Sequence, residues 1–203
     1  MSEFPEIKKL LAHMTDDSEY LQDWVINWLA VRKQTSKKSG VGLCIAGDRG
    51  SGKGVFIEMV IGRIFNVCRV DGTELRSPFC PFLASDADFF YLTELEDIRR
   101  NPLFGRMLTL VKCLISGSEI IWNRKHKDSV YVNHPANVII ETNEPFSEII
   151  IQLGRRYTLI MCRRRLDPNF IDFDALETEA KLFEKYLLEY PIDLEKYETV
   201  AIA

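Results

Sequence analysis

The sequence predicts an α/β protein in which a mainly parallel sheet lies between helices and bears a protruding β-hairpin. Three observations predict it. Apolar runs such as Val41-Gly42-Leu43-Cys44-Ile45-Ala46, Phe89-Phe90-Tyr91-Leu92 and Val138-Ile139-Ile140 alternate with helical segments. Runs of this kind suit parallel strands buried on both faces. The stretch Gly47-Asp48-Arg49-Gly50-Ser51-Gly52-Lys53-Gly54 joins the first run to a helix predicted over 55–65. Finally, Ile120-Ile121-Trp122-Asn123 and Val130-Tyr131-Val132-Asn133 flank the polar Arg124-Lys125-His126-Lys127-Asp128-Ser129, the pattern of a hairpin with a cationic tip.

Helices are predicted over 6–14 and 17–33, with Thr15-Asp16-Asp17-Ser18 offering N-cap chemistry between them. In the second, Leu21, Trp24, Val25, Trp28 and Leu29 recur at three- and four-residue spacing. Such a stripe packs a helix on a sheet. Lys33 to Gly40 is a polar loop into the first strand. A second strand is predicted over 66–70, followed by a turn at Asp71-Gly72 and a loop around Pro78-Phe79-Cys80-Pro81. A helix begins at Asn101-Pro102, turns Leu103, Phe104, Met107, Leu110, Val111 and Leu114 inward, and ends at Gly117. After the hairpin come a strand ending at Thr142-Asn143, the segment 149–153, the turn Gly154-Arg155-Arg156, a strand over 157–162 and an acidic helix over 171–187. The tail to Ala203 shows no pattern. The expected organisation is a helical segment (1–38) packed on a core (39–168), with an acidic helical segment (169–203) behind it.

A chain of 203 residues can bury one sizeable core. No apolar run approaches the ~18–20 residues needed to span a bilayer, and Met1-Ser2-Glu3-Phe4-Pro5 does not read as a signal peptide. No membrane partner is therefore expected. Five scattered cysteines form neither a disulfide framework nor a zinc pattern, which fits a reducing compartment. The net charge of −4 is unevenly spread, because residues 172–203 hold nine acids and three lysines. Basic knots occupy the remainder, and local patches rather than net charge decide nucleic-acid contact.

Strand, glycine-rich turn with lysine, then helix is the arrangement that grips a polyphosphate. Glycines let backbone N–H groups turn towards the anion, Lys53 adds a point charge, and the helix start adds its partial positive end. The nucleotide-binding residues are thus Gly47, Asp48, Arg49, Gly50, Ser51, Gly52, Lys53, Gly54 and Val55. The position after the lysine ordinarily supplies a hydroxyl for Mg²⁺. Gly54 and Val55 have none, so either water fills that coordination place or metal binding is weak.

The strand 89–92 opens onto Thr93-Glu94-Leu95-Glu96-Asp97, where parallel α/β enzymes place acids that serve metal and water. Glu94 is the candidate catalytic carboxylate and Mg²⁺ ligand, direct or through water. The competing explanation is that Glu94, Glu96 and Asp97 form the polar first turn of the next segment. Asn143 is expected beside the phosphate loop, its amide towards the γ-phosphate or the lytic water, although Asn-Glu-Pro is also good turn chemistry. Arg155 and Arg156 are candidates for stabilising charge on a transferring phosphoryl group, especially in a neighbouring subunit. Arg124, Lys125, His126 and Lys127 repel one another at one tip unless something anionic visits, which makes them the candidate nucleic-acid contacts; the competing explanation is a plain solvated turn.

Together these stretches resemble the superfamily three (AAA+-type) helicase domain of phage, plasmid and viral primase–helicases or primase–polymerases. The resemblance covers roughly residues 20–165. It implies a P-loop NTPase (AAA+-like) fold, ATP and Mg²⁺ between subunits of a hexameric ring, and Lys125 and His126 tracking single-stranded DNA in the channel. It also implies Arg155 or Arg156 as arginine finger, a primase or polymerase domain in the full-length protein, and a host cytoplasmic location for a phage product. Thr93, where aspartate is commoner, Gly54 and Gly154 depart from the pattern. Two alternatives are a P-loop scaffold that holds ATP with little hydrolysis and a nucleoside monophosphate kinase, against which Val55 and the hairpin argue.

Overall fold

Alternation within the apolar strands builds two cores, one on each face of the sheet. The structure, a computed structural model, describes residues 4–93, 95, 102–117, 119–144 and 148–201. Its elements begin with α1 (Pro5–Met14), α2 (Glu19–Thr35) and β1 (Gly42–Gly47). Lys53–Val55, Phe56–Ile61 and Gly62–Ile64 run on as one helix, α3, whose middle stretch is π-helical. β2 (Val67–Val70), α4 (Gly72–Arg76), β3 (Phe89–Leu92) and α5 (Phe104–Ser116) follow. The chain closes with β4 (Ile120–Trp122), β5 (Val130–Val132), β6 (Asn137–Thr142), α6 (Glu148–Leu153), β7 (Tyr157–Cys162), α7 (Phe173–Glu189) and α8 (Leu194–Tyr197).

Five strands form one parallel sheet in the order β2-β3-β6-β1-β7, and β4 pairs with β5 as a separate antiparallel ribbon. The α/β fold with a mainly parallel sheet is therefore present. Leu43, Ile45, Phe89, Tyr91, Ile139 and Ile160 join α1, α2, α3 and α7 in one core. Cys44, Phe90, Leu92, Val138 and Ile140 join α5 and Ile120 in the other. The predicted tryptophan stripe does pack on the sheet: the Trp28 ring lies 5.1 Å from that of Phe89. The five cysteines are free thiols, and among the described residues no helix is long and apolar enough to cross a membrane.

Two local expectations are corrected. Asp71-Gly72 is not a simple turn, because the Asp71 carboxylate accepts from the N–H groups of Thr73 (2.7 Å) and Glu74 (2.9 Å). Glu74 reaches back to the Asp71 N–H, and this capping box starts α4. The helix expected from Asn101-Pro102 starts at Phe104, with Asn101 outside the described residues and Leu103 in the preceding turn, 39 % exposed rather than inward.

The C-terminal tail, unreadable in sequence, latches the amino-terminal edge of the sheet. Tyr197 donates its hydroxyl to Lys37 O (2.6 Å) and accepts from Asn137 Nδ2 (2.8 Å). Ser39 Oγ donates to Tyr197 O (2.8 Å), and Ala201 N donates to Thr158 Oγ1 (2.9 Å).

A buried histidine makes this edge sensitive to acid. His134 Nε2 donates to Ser85 O (2.8 Å) and Nδ1 accepts from Ala136 N (3.1 Å), which fixes the neutral tautomer. Burial holds its pKa below the ordinary 6.5. The unfolded chain therefore takes up this proton at higher pH than the fold does. The stabilisation is complete above the unfolded value and is lost as pH falls towards the folded one. In denaturant titrations the stability gap between wild type and His134→Asn is expected to shrink from pH 7 to pH 5.5. A gap that stays constant over that range counts against this account.

Candidate functional site

Because the five strands are parallel, their carboxyl ends share one edge, and the loop after β1, the fourth strand in the order, sits there between the ends of β6 and β7. Crevices at such positions are where open α/β sheets bind ligands. Gly47 has φ +147°, and a Cβ there would meet Cys162 O at 2.3 Å, so no larger residue fits. Gly52, at φ +93°, is wedged between Leu10 and Leu166. The segment after β7 pins the loop from outside, with Leu166 N donating to Gly50 O at 2.8 Å.

Lys53 opens α3 and is only 3 % exposed. Its Nζ donates to Gly47 O (2.7 Å), Asp48 O (2.9 Å) and Asn143 Oδ1 (3.2 Å). Among the described residues the ammonium forms no ion pair and is held by neutral oxygens. A charge so placed, beside the unsatisfied N–H groups of a helix start, makes an electropositive floor.

A cleft of about 410 Å³ opens above this floor, lined by Arg49 to Val55, by Arg69 at the end of β2, and by Thr93, Glu141, Thr142 and Asn143. Thr93 is 4 % exposed, and its hydroxyl has no hydrogen-bond partner among the described residues. A buried unpaired hydroxyl implies a missing partner, since such groups are nearly always satisfied. Tyr91 donates its hydroxyl to the Glu141 carboxylate, and the Arg69 guanidinium lies 5.9 Å from the Tyr91 ring. Burial, reinforced by Glu141, pushes the Tyr91 phenol well above its ordinary value.

The volume, the three cations Arg49, Lys53 and Arg69, and the orphaned hydroxyl fit a polyphosphate. For a divalent cation the described residues offer the hydroxyls of Ser51, Thr93 and Thr142 and the carboxylate of Glu141, the last already engaged by Tyr91. No group of three or more acidic, His or Cys side chains suited to a metal occurs among the described residues. Glu94, the predicted carboxylate, lies outside them.

The structure thus brings Lys53 and Asn143 into contact and sets Arg49–Val55 on the cleft wall, with the Gly47 and Asp48 carbonyls beneath the ammonium. It does not bring Arg155 or Arg156 there. Both precede β7, whose register pairs Tyr157 with Gly42 and Cys162 with Gly47. They lie at the amino-terminal edge, a strand length of roughly 17 Å from the phosphate loop. Arg156 Nε donates to Ser116 Oγ (3.2 Å) at the end of α5. The hairpin tip is exposed: Lys125, His126 and Lys127 form no ion pair among the described residues, and Arg124 Nε donates to Asp128 O (3.1 Å). Sequence reasoning missed Arg69, Glu141 and Thr142. The signal available was their place at the last positions of strands in a parallel sheet.

Fold and cleft define a class: an α/β protein with a lysine-bearing, glycine-bounded loop at the carboxyl edge of a five-stranded parallel sheet. Residues 45–156 match a family of unknown function, DUF5906, and the chain belongs to that family. It is similar to a DNA primase-polymerase of Nitratiruptor phage NrS-1, with 27 % identity over 213 aligned residues, covering all of this chain and 29 % of that protein. Apo structures of the NrS-1 C-terminal region superpose with TM-scores of 0.83 (26 % identity) and 0.82 (25 % identity), each covering all of this chain and half of the solved one.

Proposed function

We propose that the chain is the ATP-dependent motor domain of a phage DNA replication protein, a ring-forming P-loop ATPase that moves on single-stranded DNA in the host cytoplasm. One observation carries the reading: the Lys53 ammonium, held between the loop carbonyls after β1 and Asn143 after β6. Likeness to a phage primase-polymerase supports the replication context and is consistent with a primase or polymerase region in the full-length protein.

On this reading the loop N–H groups and Lys53 bind the β- and γ-phosphates, and Arg69 and Arg49 lend further charge at the rim. The Thr93 hydroxyl and the Asn143 amide orient a phosphate oxygen or the attacking water. Glu94 serves as base or as Mg²⁺ ligand through water. The cation, when bound with the nucleotide, supplies charge to the phosphate oxygens. Arg155 and Arg156, remote from their own cleft, serve that of a neighbouring subunit in a hexameric ring. Lys125, His126 and Lys127 grip the DNA backbone, a contact that makes affinity fall with salt.

Mass in solution, with and without ATP and single-stranded DNA, tests the assembly, and a monomer under all conditions counts against it. Arg155→Ala and Arg156→Ala subunits mixed with wild type are expected to depress ATPase more steeply than in proportion to their fraction. A strictly proportional loss removes the trans role. The second reading, ATP held with little turnover, is favoured by the neutral Thr93 and by Gly54. Gly54→Ser has open space at its Cβ, and a large gain in ATPase with Mg²⁺ would support this slow-turnover reading.

A further inference from the structure

The hairpin shows more than a charged tip. In its register Ile121 lies opposite Tyr131, between the pairs Ile120–Val132 and Trp122–Val130. Side chains alternate across such a ribbon, so Ile121 and Tyr131 share one face and the other four share the opposite one. The second face is anchored. Ile120 is buried in the core, Trp122 and Val132 pack against it, and Trp122 Nε1 donates to Phe79 O at 2.7 Å. The first face is presented outward: Tyr131 is 71 % exposed and Ile121 57 %. A groove of about 990 Å³ runs between this face and α5, with Arg106 and Thr109 on its other wall.

An exposed aromatic on a braced ribbon, beside an apolar neighbour and beneath three cationic or titratable residues that form no ion pair among the described residues, matches one kind of ligand. Unpaired nucleic-acid strands present flat bases and a charged backbone a few ångströms apart. Proteins that bind them combine aromatic platforms with cationic grooves. Arg106, Arg124, Lys125 and Lys127 outnumber the acids of the same surface, Glu119 and Asp128. A purely phosphate-gripping hairpin needs no exposed tyrosine on its strands.

We propose that the Ile121–Tyr131 face is a stacking platform for unpaired bases of single-stranded DNA, with Tyr131 beneath a base while Lys125 and Lys127 hold the adjoining phosphates. The assignment rests on the nucleic-acid reading given above and adds a base-dependent contact to it. It gives the hairpin a grip on the bases that salt does not weaken.

The test measures the affinity of the full chain for an oligo(dT) strand and for an abasic strand of equal length, each over a range of salt. Tyr131→Ala is expected to weaken oligo(dT) about tenfold at unchanged salt slope, to leave the abasic strand as wild type binds it, and Tyr131→Phe to restore oligo(dT) binding to within about twofold. Lys125→Ala with His126→Ala instead lowers the salt slope on both strands. Three results overturn the platform: unaltered oligo(dT) affinity in Tyr131→Ala, an equal loss on the abasic strand, or a changed subunit mass at unchanged DNA affinity, which gives the face to a second copy. Wild type that binds neither strand overturns the nucleic-acid reading itself, and the platform with it.

Discussion

Replacing Lys53 by Ala is expected to abolish detectable ATP binding and turnover while leaving the chain folded. The ammonium is buried at the cleft floor and donates to Gly47 O, Asp48 O, Ser51 Oγ and Asn143 Oδ1. On the proposed reading it exchanges some of them for phosphate oxygens. Charge-assisted hydrogen bonds are worth about 1.5–3 kcal/mol each. Losing two weakens ATP by roughly 100-fold or more. Truncating the side chain extends the cleft down to the oxygens left behind, which take up water, so thermal stability changes little. Lys53→Arg is expected to fail as well, because a planar guanidinium does not fit a slot shaped around one ammonium. Calorimetric titration with ATP and a slowly hydrolysed analogue checks both variants. Wild-type affinity in Lys53→Ala would take the phosphate loop out of the account.

Gly47→Ala is expected to be the most destabilising single change in the loop. Two costs coincide there. A non-glycine residue at φ +147° is strained, and its Cβ would lie 2.3 Å from the carbonyl of Cys162 on β7. Sparse backbone conformations alone cost about 1–3 kcal/mol, and the contact with backbone is relieved only by moving β1 and β7 apart. For a chain of this size each kcal/mol shifts Tm by roughly 2–4 °C, so a fall of about 10 °C or more, or insoluble expression, is anticipated. Gly54→Ala is the matched control, with nothing within 4 Å of its Cβ and a helical backbone. It is expected to keep or slightly raise Tm, since Ala is the better helix former. Similar Tm values for the two variants would show that the close approach at Gly47 is not what fixes the residue.

Much of the cleft was legible because its parts are local. The glycines and Lys53 lie within eight consecutive residues, and turn chemistry, helix start and strand periodicity all act over that range. Asn143 was legible one step further, because a strand in a parallel sheet ends at the same edge as its neighbours. Arg69 and Glu141 escaped because only their place near the ends of β2 and β6 marks them, and the strand order is what brings those ends to the cleft. The capping box at Asp71 was a missed local signal, since Glu74 stands three residues on.

The sequence by itself determined that apolar strands would be covered on both faces, that a glycine-bounded lysine would follow the first of them, and that a cationic hairpin would precede the strand ending at Asn143. Those outcomes follow from short-range periodicity, turn conformation and charge. Tertiary structure alone decided which edge each functional group occupies. Parallel pairing of β7 with β1 sends Arg155 and Arg156 to the edge opposite Lys53. Tyr197, 160 residues from Lys37, is drawn in by a hydrogen bond no local pattern announces. Pairing register and long-range burial are properties of the whole assembled chain, which is why no single stretch could report them.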